Sequence, residues 1–221
     1  MTSAQYEIRD LCRKSLCRYT LQAFSFLTLP GDPSILDLGC GTGVSTLTLM
    51  QNCKGTFCAV DVDRGCLERL KARAELAGLL GRIRIIHASE FEAVRPEPKF
   101  DVVLAEGLLN MTGFEKGLGM MLSSVKAGGY LVIHDELRDE DGKRRLFEER
   151  GLGLLGRIEL SPEVWRKEYY ACLEKAVRER RDEDPFEQEL REIRDIKENP
   201  GQFQSVFYIL KSPANLSGGL S

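Results

Sequence analysis

The chain has 221 residues, enough for one sizeable core, and its 31 basic and 34 acidic side chains leave a formal charge of −3. No arginine or lysine cluster offsets that balance, so a nucleic-acid or anionic-membrane partner is not indicated. No apolar run approaches bilayer length and no charged start leads into an apolar leader, so a cytoplasmic chain away from membranes is expected. Cysteines stand at 12, 17, 40, 53, 58, 66 and 172 with no C-x-x-C pair, and only two histidines could complete a metal site. Reduced, mostly buried thiols and no metal are expected, with a Cys12, Cys17 and Cys172 cluster for a thiophilic ligand as the lesser alternative.

Residues 3–26 place Ile8, Leu11, Leu16, Tyr19 and Phe24 among basic side chains at a spacing that predicts one or two amphipathic helices. Leu29-Pro30-Gly31-Asp32-Pro33 ends them. Strands and helices then alternate: strand 34–38, helix 44–52, strand 56–60, helix 64–77, strand 82–87, strand 100–105 and helix 113–125. The turn Lys126-Ala127-Gly128-Gly129 leads to a strand at 130–133. Continuous Ile, Val and Leu runs separated by helices argue for parallel strands buried on both faces. A helix over 139–150 precedes a sixth strand at 154–160, and Ser161-Pro162-Glu163 reads as a helix start, serine the cap and proline in the first turn. A charged helical segment runs on to about residue 199, broken near Asp184-Pro185, and residues 203–210 alternate as a seventh strand. The mixed-sign run 178–184 reads as a solvated helix face, and 212–221 as a flexible tail.

The densest information lies in Ile35-Leu36-Asp37-Leu38-Gly39-Cys40-Gly41-Thr42-Gly43, where an apolar strand enters a glycine-rich turn, and in the next strand, which ends on Asp61. Strand, glycine turn, helix, strand and acid outline a pocket for an adenosine-type cofactor. The glycines are spaced G-x-G-x-G, not the G-x-G-x-x-G of dinucleotide sites, and an acid lies inside the strand. That arrangement resembles motif I of the class I S-adenosylmethionine (SAM) dependent methyltransferases. Further matches follow in order: Ala88-Ser89-Glu90 where the family commonly has Gly-Asp-Ala, Phe100-Asp101-Val102-Val103, and Val125-Lys126-Ala127-Gly128-Gly129-Tyr130-Leu131. The resemblance covers residues 30–135. Ala105-Glu106-Gly107, Asn110, Gly113-Phe114-Glu115, Trp165 and Tyr169-Tyr170 look like the small "type 11", ubiquinone/menaquinone-biosynthesis-like subgroup.

The resemblance implies an α/β fold with a Rossmann-like, seven-stranded, mostly parallel sheet and helices on both faces. One domain over 1–211 would carry an N-terminal helical cap at 1–28, a SAM-binding core at 29–135 and a helical insertion or lid at 161–200. It implies methyl transfer from SAM to a small-molecule acceptor by in-line displacement, with S-adenosyl-L-homocysteine as product. Asp37, Gly39, Cys40, Gly41, Gly43, Asp61, Val62, Ser89, Glu90 and Ala105 would contact the cofactor, with Asp37 toward its amino group and Asp61 accepting from its ribose hydroxyls. Ser89 stands where the family has aspartate, so Glu90 or backbone groups are alternatives for the adenine contact.

Glu106, at the tip of the fourth strand, is a candidate proton acceptor or amine anchor, or else a helix cap. His134 ends the fifth strand as a candidate general base, or else as a hydrogen-bonded strand terminus. His87 reads as packing or capping. Trp165, Tyr169 and Tyr170 share part of a helix face, lining a substrate pocket or simply packing. Rival readings are a non-catalytic SAM-binding regulator, a nucleotide-linked oxidoreductase, and an enzyme acting on tRNA or protein.

Overall fold

A computed structural model describes residues 2–94, 99–180 and 186–215. Seven strands form one sheet in the order β3-β2-β1-β4-β5-β7-β6. They are β1 Ser34–Leu38, β2 Thr56–Asp61, β3 Ile83–His87, β4 Phe100–Glu106, β5 Val125–Glu136, β6 Gly153–Leu160 and β7 Ser205–Lys211. The pairs among β1 to β5 are parallel, and β7 runs antiparallel to both β5 and β6. The expected mostly parallel seven-stranded sheet is the one observed.

Side chains alternate across it. Ile35, Phe57, Val102, Leu104, Val132, Phe207 and Ile209 fill one buried layer, while Leu36, Cys58, Val103, Leu131, Val206 and Tyr208 fill the other. Both faces are covered, which is why the strands read as unbroken apolar runs. The helices are α1 Ser3–Arg13, α2 Cys17–Phe24, α3 Val44–Asn52, α4 Arg64–Leu76, α5 Ala88–Val94, α6 Leu109–Thr112, α7 Phe114–Ser124, α8 Glu140–Glu149, α9 Pro162–Val164, α10 Ala171–Glu179 and α11 Glu187–Glu198. A π-helical turn, Trp165–Tyr170, joins α9 to α10.

The structure departs from the sequence reading in four places. Helix α5 follows β3 where no helix was expected. β5 starts at Val125, pairing with Phe100 before an irregularity that includes Gly128 at φ 69°, so the presumed Lys126–Gly129 turn belongs to the strand. The chain stays bonded beyond β7: Ser212 N–H donates to Gly129 O at 2.8 Å, and Gly128 N–H to Pro213 O at 3.0 Å. The expected tail is thus held at its first two residues, and 216–221 lie outside the described residues, as does the break near Asp184-Pro185.

The fourth departure concerns sulfur. Cys12 of α1 and Cys172 of α10 form a disulfide across 160 residues, not the reduced pair that was expected. Such a separation leaves no local spacing pattern to read. Cys17, Cys40, Cys53, Cys58 and Cys66 are free.

Candidate functional site

Strand order reverses between β1 and β4, and open α/β sheets place their ligand crevice at such a point, beyond the carboxyl ends of the strands. A pocket of about 470 Å³ opens there. Its floor carries Asp37, Gly39, Cys40 and Thr42 from β1 and the glycine turn, Ser45 from α3, Glu106 from β4 and His134 from β5. Its roof carries Arg9 and Arg13 of α1 with Trp165, Tyr169 and Tyr170 of the insertion.

The glycine turn is fastened to β2, with Gly39 and Cys40 N–H donating to Val60 O at 2.8 and 3.1 Å. Gly43 sits at φ 76°, and a Cβ there would come within 2.2 Å of Leu70 Cδ1, so a side chain would strain the backbone and displace Leu70. A Cβ on Gly41 would meet nothing within 4 Å, which leaves that part of the turn open to a ligand. Gly41 N–H donates to Asp61 Oδ2 at 2.8 Å, and Asp63 N–H to Asp61 Oδ1 at 2.9 Å. Both Asp61 oxygens are therefore aimed by the turn and the start of α4.

Asp37 is buried with one side-chain donor, the Thr46 hydroxyl at 2.5 Å. Burial pushes its carboxyl up to about 7, against the Thr46 bond and with help from the nearby Glu106 and Asp61 charges. A buried carboxylate with so little compensation suits a cationic ligand group. Glu106 accepts from Thr20 of α2 at 2.7 Å and from Ser45 at 3.0 Å. Burial raises its pKa, while those two hydroxyls and the Arg13 guanidinium oppose the rise.

His134 stacks on Phe207 with ring centroids 4.0 Å apart and lies nearly parallel to Trp165 at 6.1 Å. Its Nε2 is 2.8 Å from Ser205 Oγ, and its Nδ1 is 3.9 Å from Glu106 Oε2. Burial, reinforced by Arg13, pushes its pKa down to about 3, so the imidazole is neutral. Trp165 meets Phe203 edge-on at 4.7 Å, and Tyr169 meets Tyr170 at 5.1 Å.

Of the sequence candidates, the fold brings Asp37, Gly39, Cys40, Glu106, His134, Trp165, Tyr169 and Tyr170 into one cavity. The others lie outside its lining. Ala105 is fully buried next to Glu106 in β4, Gly41 is bonded to Asp61 beside the turn, and Gly43 packs on Leu70. Val62 and Ser89 are joined by His87, whose ring nitrogens lie 3.0 Å from Val62 O and 2.8 Å from Ser89 Oγ. Glu90 is exposed and lies 3.9 Å from Arg64. His87 caps as expected. Sequence reasoning missed Arg9, Arg13, Thr20, Ser45, Phe203, Ser205 and Phe207. The period-two spacing of 203, 205 and 207 was the available signal for the last three.

Among the described residues, no helix is long and apolar enough to cross a membrane, and no group of three or more His, Cys, Asp or Glu could hold a metal ion.

Residues 35–129 match a family model described as a methyltransferase domain. A ribosomal protein L11 methyltransferase from Rhodopseudomonas palustris is 35% identical over 129 residues, 57% of this chain and 43% of that protein. A ubiquinone/menaquinone biosynthesis C-methyltransferase from Shewanella sediminis is 25% identical over 154 residues, 68% of this chain and 61% of that protein. The chain spans between 25% and 43% of the length of the first curated relatives it matches. A SAM-dependent methyltransferase from Geobacter sulfurreducens, solved with S-adenosyl-L-homocysteine, superposes with a TM-score of 0.64 at 17% identity, over 87% of this chain and 89% of that one.

Proposed function

We propose that the chain is a class I SAM-dependent methyltransferase that methylates a small-molecule acceptor held between the glycine turn and the aromatic roof. The observation that carries the reading is that two carboxylates, the buried Asp37 and the half-buried Glu106, line one cavity at the point where strand order reverses. Asp37 has the character to hold the cofactor's ammonium group, and Arg13, which makes no ion pair among the described residues, can meet its carboxylate. Asp61 is aimed to accept from the ribose hydroxyls, and Val62 and Ser89, both bonded to His87, with the exposed Glu90 would serve the adenine.

SAM brings the activated methyl group, so the protein's share of the work is position and environment. Holding two reactants in near-attack geometry is worth roughly 7–11 kcal/mol. The roof of α1 and the insertion covers the site, and Trp165, Tyr169 and Tyr170 give the acceptor flat apolar walls. Glu106 faces the cavity from the strand tip as the group that takes a proton or anchors the acceptor. The 470 Å³ volume and the roof over it support a small acceptor over a folded macromolecule.

The test is release of S-adenosylhomocysteine on incubation with SAM and small-molecule extracts. Glu106→Gln is expected to lower turnover at least tenfold with SAM affinity changed less than threefold. SAM binding without turnover of any acceptor would favour the non-catalytic regulator, and Glu106→Gln with full activity would return Glu106 to a structural role.

A further inference from the structure

The hydrogen-bond network under the roof says which kind of atom can be methylated. Trp165 is a donor only, and its Nε1–H points at Ser205 Oγ at 2.9 Å. Ser205 is 3% exposed, and His134 Nε2, 2.8 Å away, is the one acceptor among the described residues bonded to its hydroxyl. If Nε2 carried the proton, the buried Ser205 O–H would have no acceptor. Satisfying every buried donor therefore sets a chain: Trp165 N–H to Ser205 oxygen, Ser205 O–H to His134 Nε2. The ring proton then sits on Nδ1, the nitrogen that faces the cavity.

That N–H has no partner among the described residues. Glu106 Oε2 is 3.9 Å from Nδ1, too far for a hydrogen bond, and both Glu106 oxygens already accept from Thr20 and Ser45 while keeping lone pairs to spare. Two atoms 3.9 Å apart can both reach a third at about 2.8 Å, so a donor and an acceptor converge on one point of the cavity. The stack on Phe207 and the Ser205 bond hold the ring in that aim.

We propose that His134 Nδ1–H and Glu106 together select an oxygen nucleophile, so that the acceptor is a small hydroxyl compound, a phenol, enol or alcohol, and the reaction is O-methylation. A hydroxyl oxygen has two lone pairs: one accepts from His134, the other attacks, and its O–H donates to Glu106. A neutral amine has a single lone pair, which attack consumes, leaving the His134 donor unmatched. The balance is simple. The O–H bond breaks with its proton passing to the Glu106 carboxylate, the O–CH3 bond forms, and the electron pair of the broken S–CH3 bond stays on the cofactor sulfur. His134 is then the donor and Glu106 the proton acceptor. Arg13 of α1 faces both groups and favours the neutral ring and the ionised carboxylate, and the buried Asp37 is the other acid of the cavity floor, which feels the Glu106 charge.

This inference rests on the methyltransferase reading, and two measurements separate the failure of one from the failure of the other. The first needs no turnover: nitrogen NMR of ring-labelled histidine in the wild-type chain, with His134→Phe to assign the signal. A neutral Nδ1–H tautomer between pH 6 and 8 is expected; an Nε2–H tautomer or an imidazolium would overturn the proposal. The second compares matched phenols and anilines, and matched alcohols and alkylamines, by S-adenosylhomocysteine release. Hydroxyl acceptors are expected to exceed their amine partners at least tenfold in kcat/KM. His134→Asn, which keeps a donor near the Nδ1 position, should retain that preference, and His134→Phe should lose it. Amines turned over as well as hydroxyls, or SAM bound with no hydroxyl acceptor methylated, would overturn it. Failure to bind SAM would instead remove the methyltransferase reading beneath it.

Discussion

Three acids stand at the cavity or beside it, Asp37 and Glu106 in its lining and Asp61 next to the glycine turn. Burial pushes Asp37 up to about 7, whereas an unfolded aspartate titrates near 3.9. Between those values the folded chain keeps a proton that the unfolded chain has lost. The stability this group contributes is present below about pH 4 and is lost as pH rises through 7. Ligand-free Asp37→Asn is therefore expected to lose less stability between pH 5 and 8 than the wild type in urea unfolding; equal losses would contradict the burial. Asp61 is aimed by Gly41 and Asp63, and Asp61→Ala is expected to weaken SAM binding at least tenfold by calorimetry. Unchanged affinity would remove the ribose assignment. Asp37, Asp61 and Glu106 were legible because each has a fixed place beside a glycine turn or at a strand tip. Thr20, Arg13 and Ser205 were not, because their roles depend on pairings 86 and 71 residues away or on a helix docked from the far end of the chain.

At the scale of elements, the roof is a joint between the first helix and the last insertion. Arg9 of α1 bonds Glu189 at 2.7 Å and Glu192 at 2.9 Å of α11, and Glu189 is fully buried. Asp10 reaches the glycine turn through Thr42 at 2.5 Å and α4 through Arg73 at 2.9 Å. The Cys12–Cys172 disulfide closes the same joint. A loop of 160 residues gives a chain-entropy stabilisation of about 5 kcal/mol. Cys12→Ser with Cys172→Ser is expected to lower Tm by roughly 10–20 °C and to raise KM for the acceptor more than for SAM. Equal Tm for the wild type and the double serine variant would contradict a bonded roof. The amphipathic patterns of residues 3–26 and 161–199 showed that these helices exist. Their mutual docking was unreadable, since helical spacing reports which face is apolar and not what covers it. The π-helical turn is a related case: Trp165, Tyr169 and Tyr170 share a face in either geometry, but only the fold shows that face turned to the cavity.

For the whole molecule, the parallel strands and their turns were legible because apolar runs, glycine spacing and strand-ending acids all agree on one topology. The antiparallel β7 between β5 and β6 and the long β5 were less so, because pairing partners leave no trace in a strand's own residues. That topology puts the glycine turn and Glu106 on adjacent strands β1 and β4, which is what brings Asp37, Gly39 and Glu106 to one cavity. Thermal unfolding of the wild-type chain with SAM and, separately, with NAD tests this account most directly. A ligand at 100 times its Kd stabilises by about 2.7 kcal/mol. Saturating SAM should therefore raise Tm by a few degrees while NAD leaves it unchanged; stabilisation by NAD, or none by SAM, would contradict the assignment of the site.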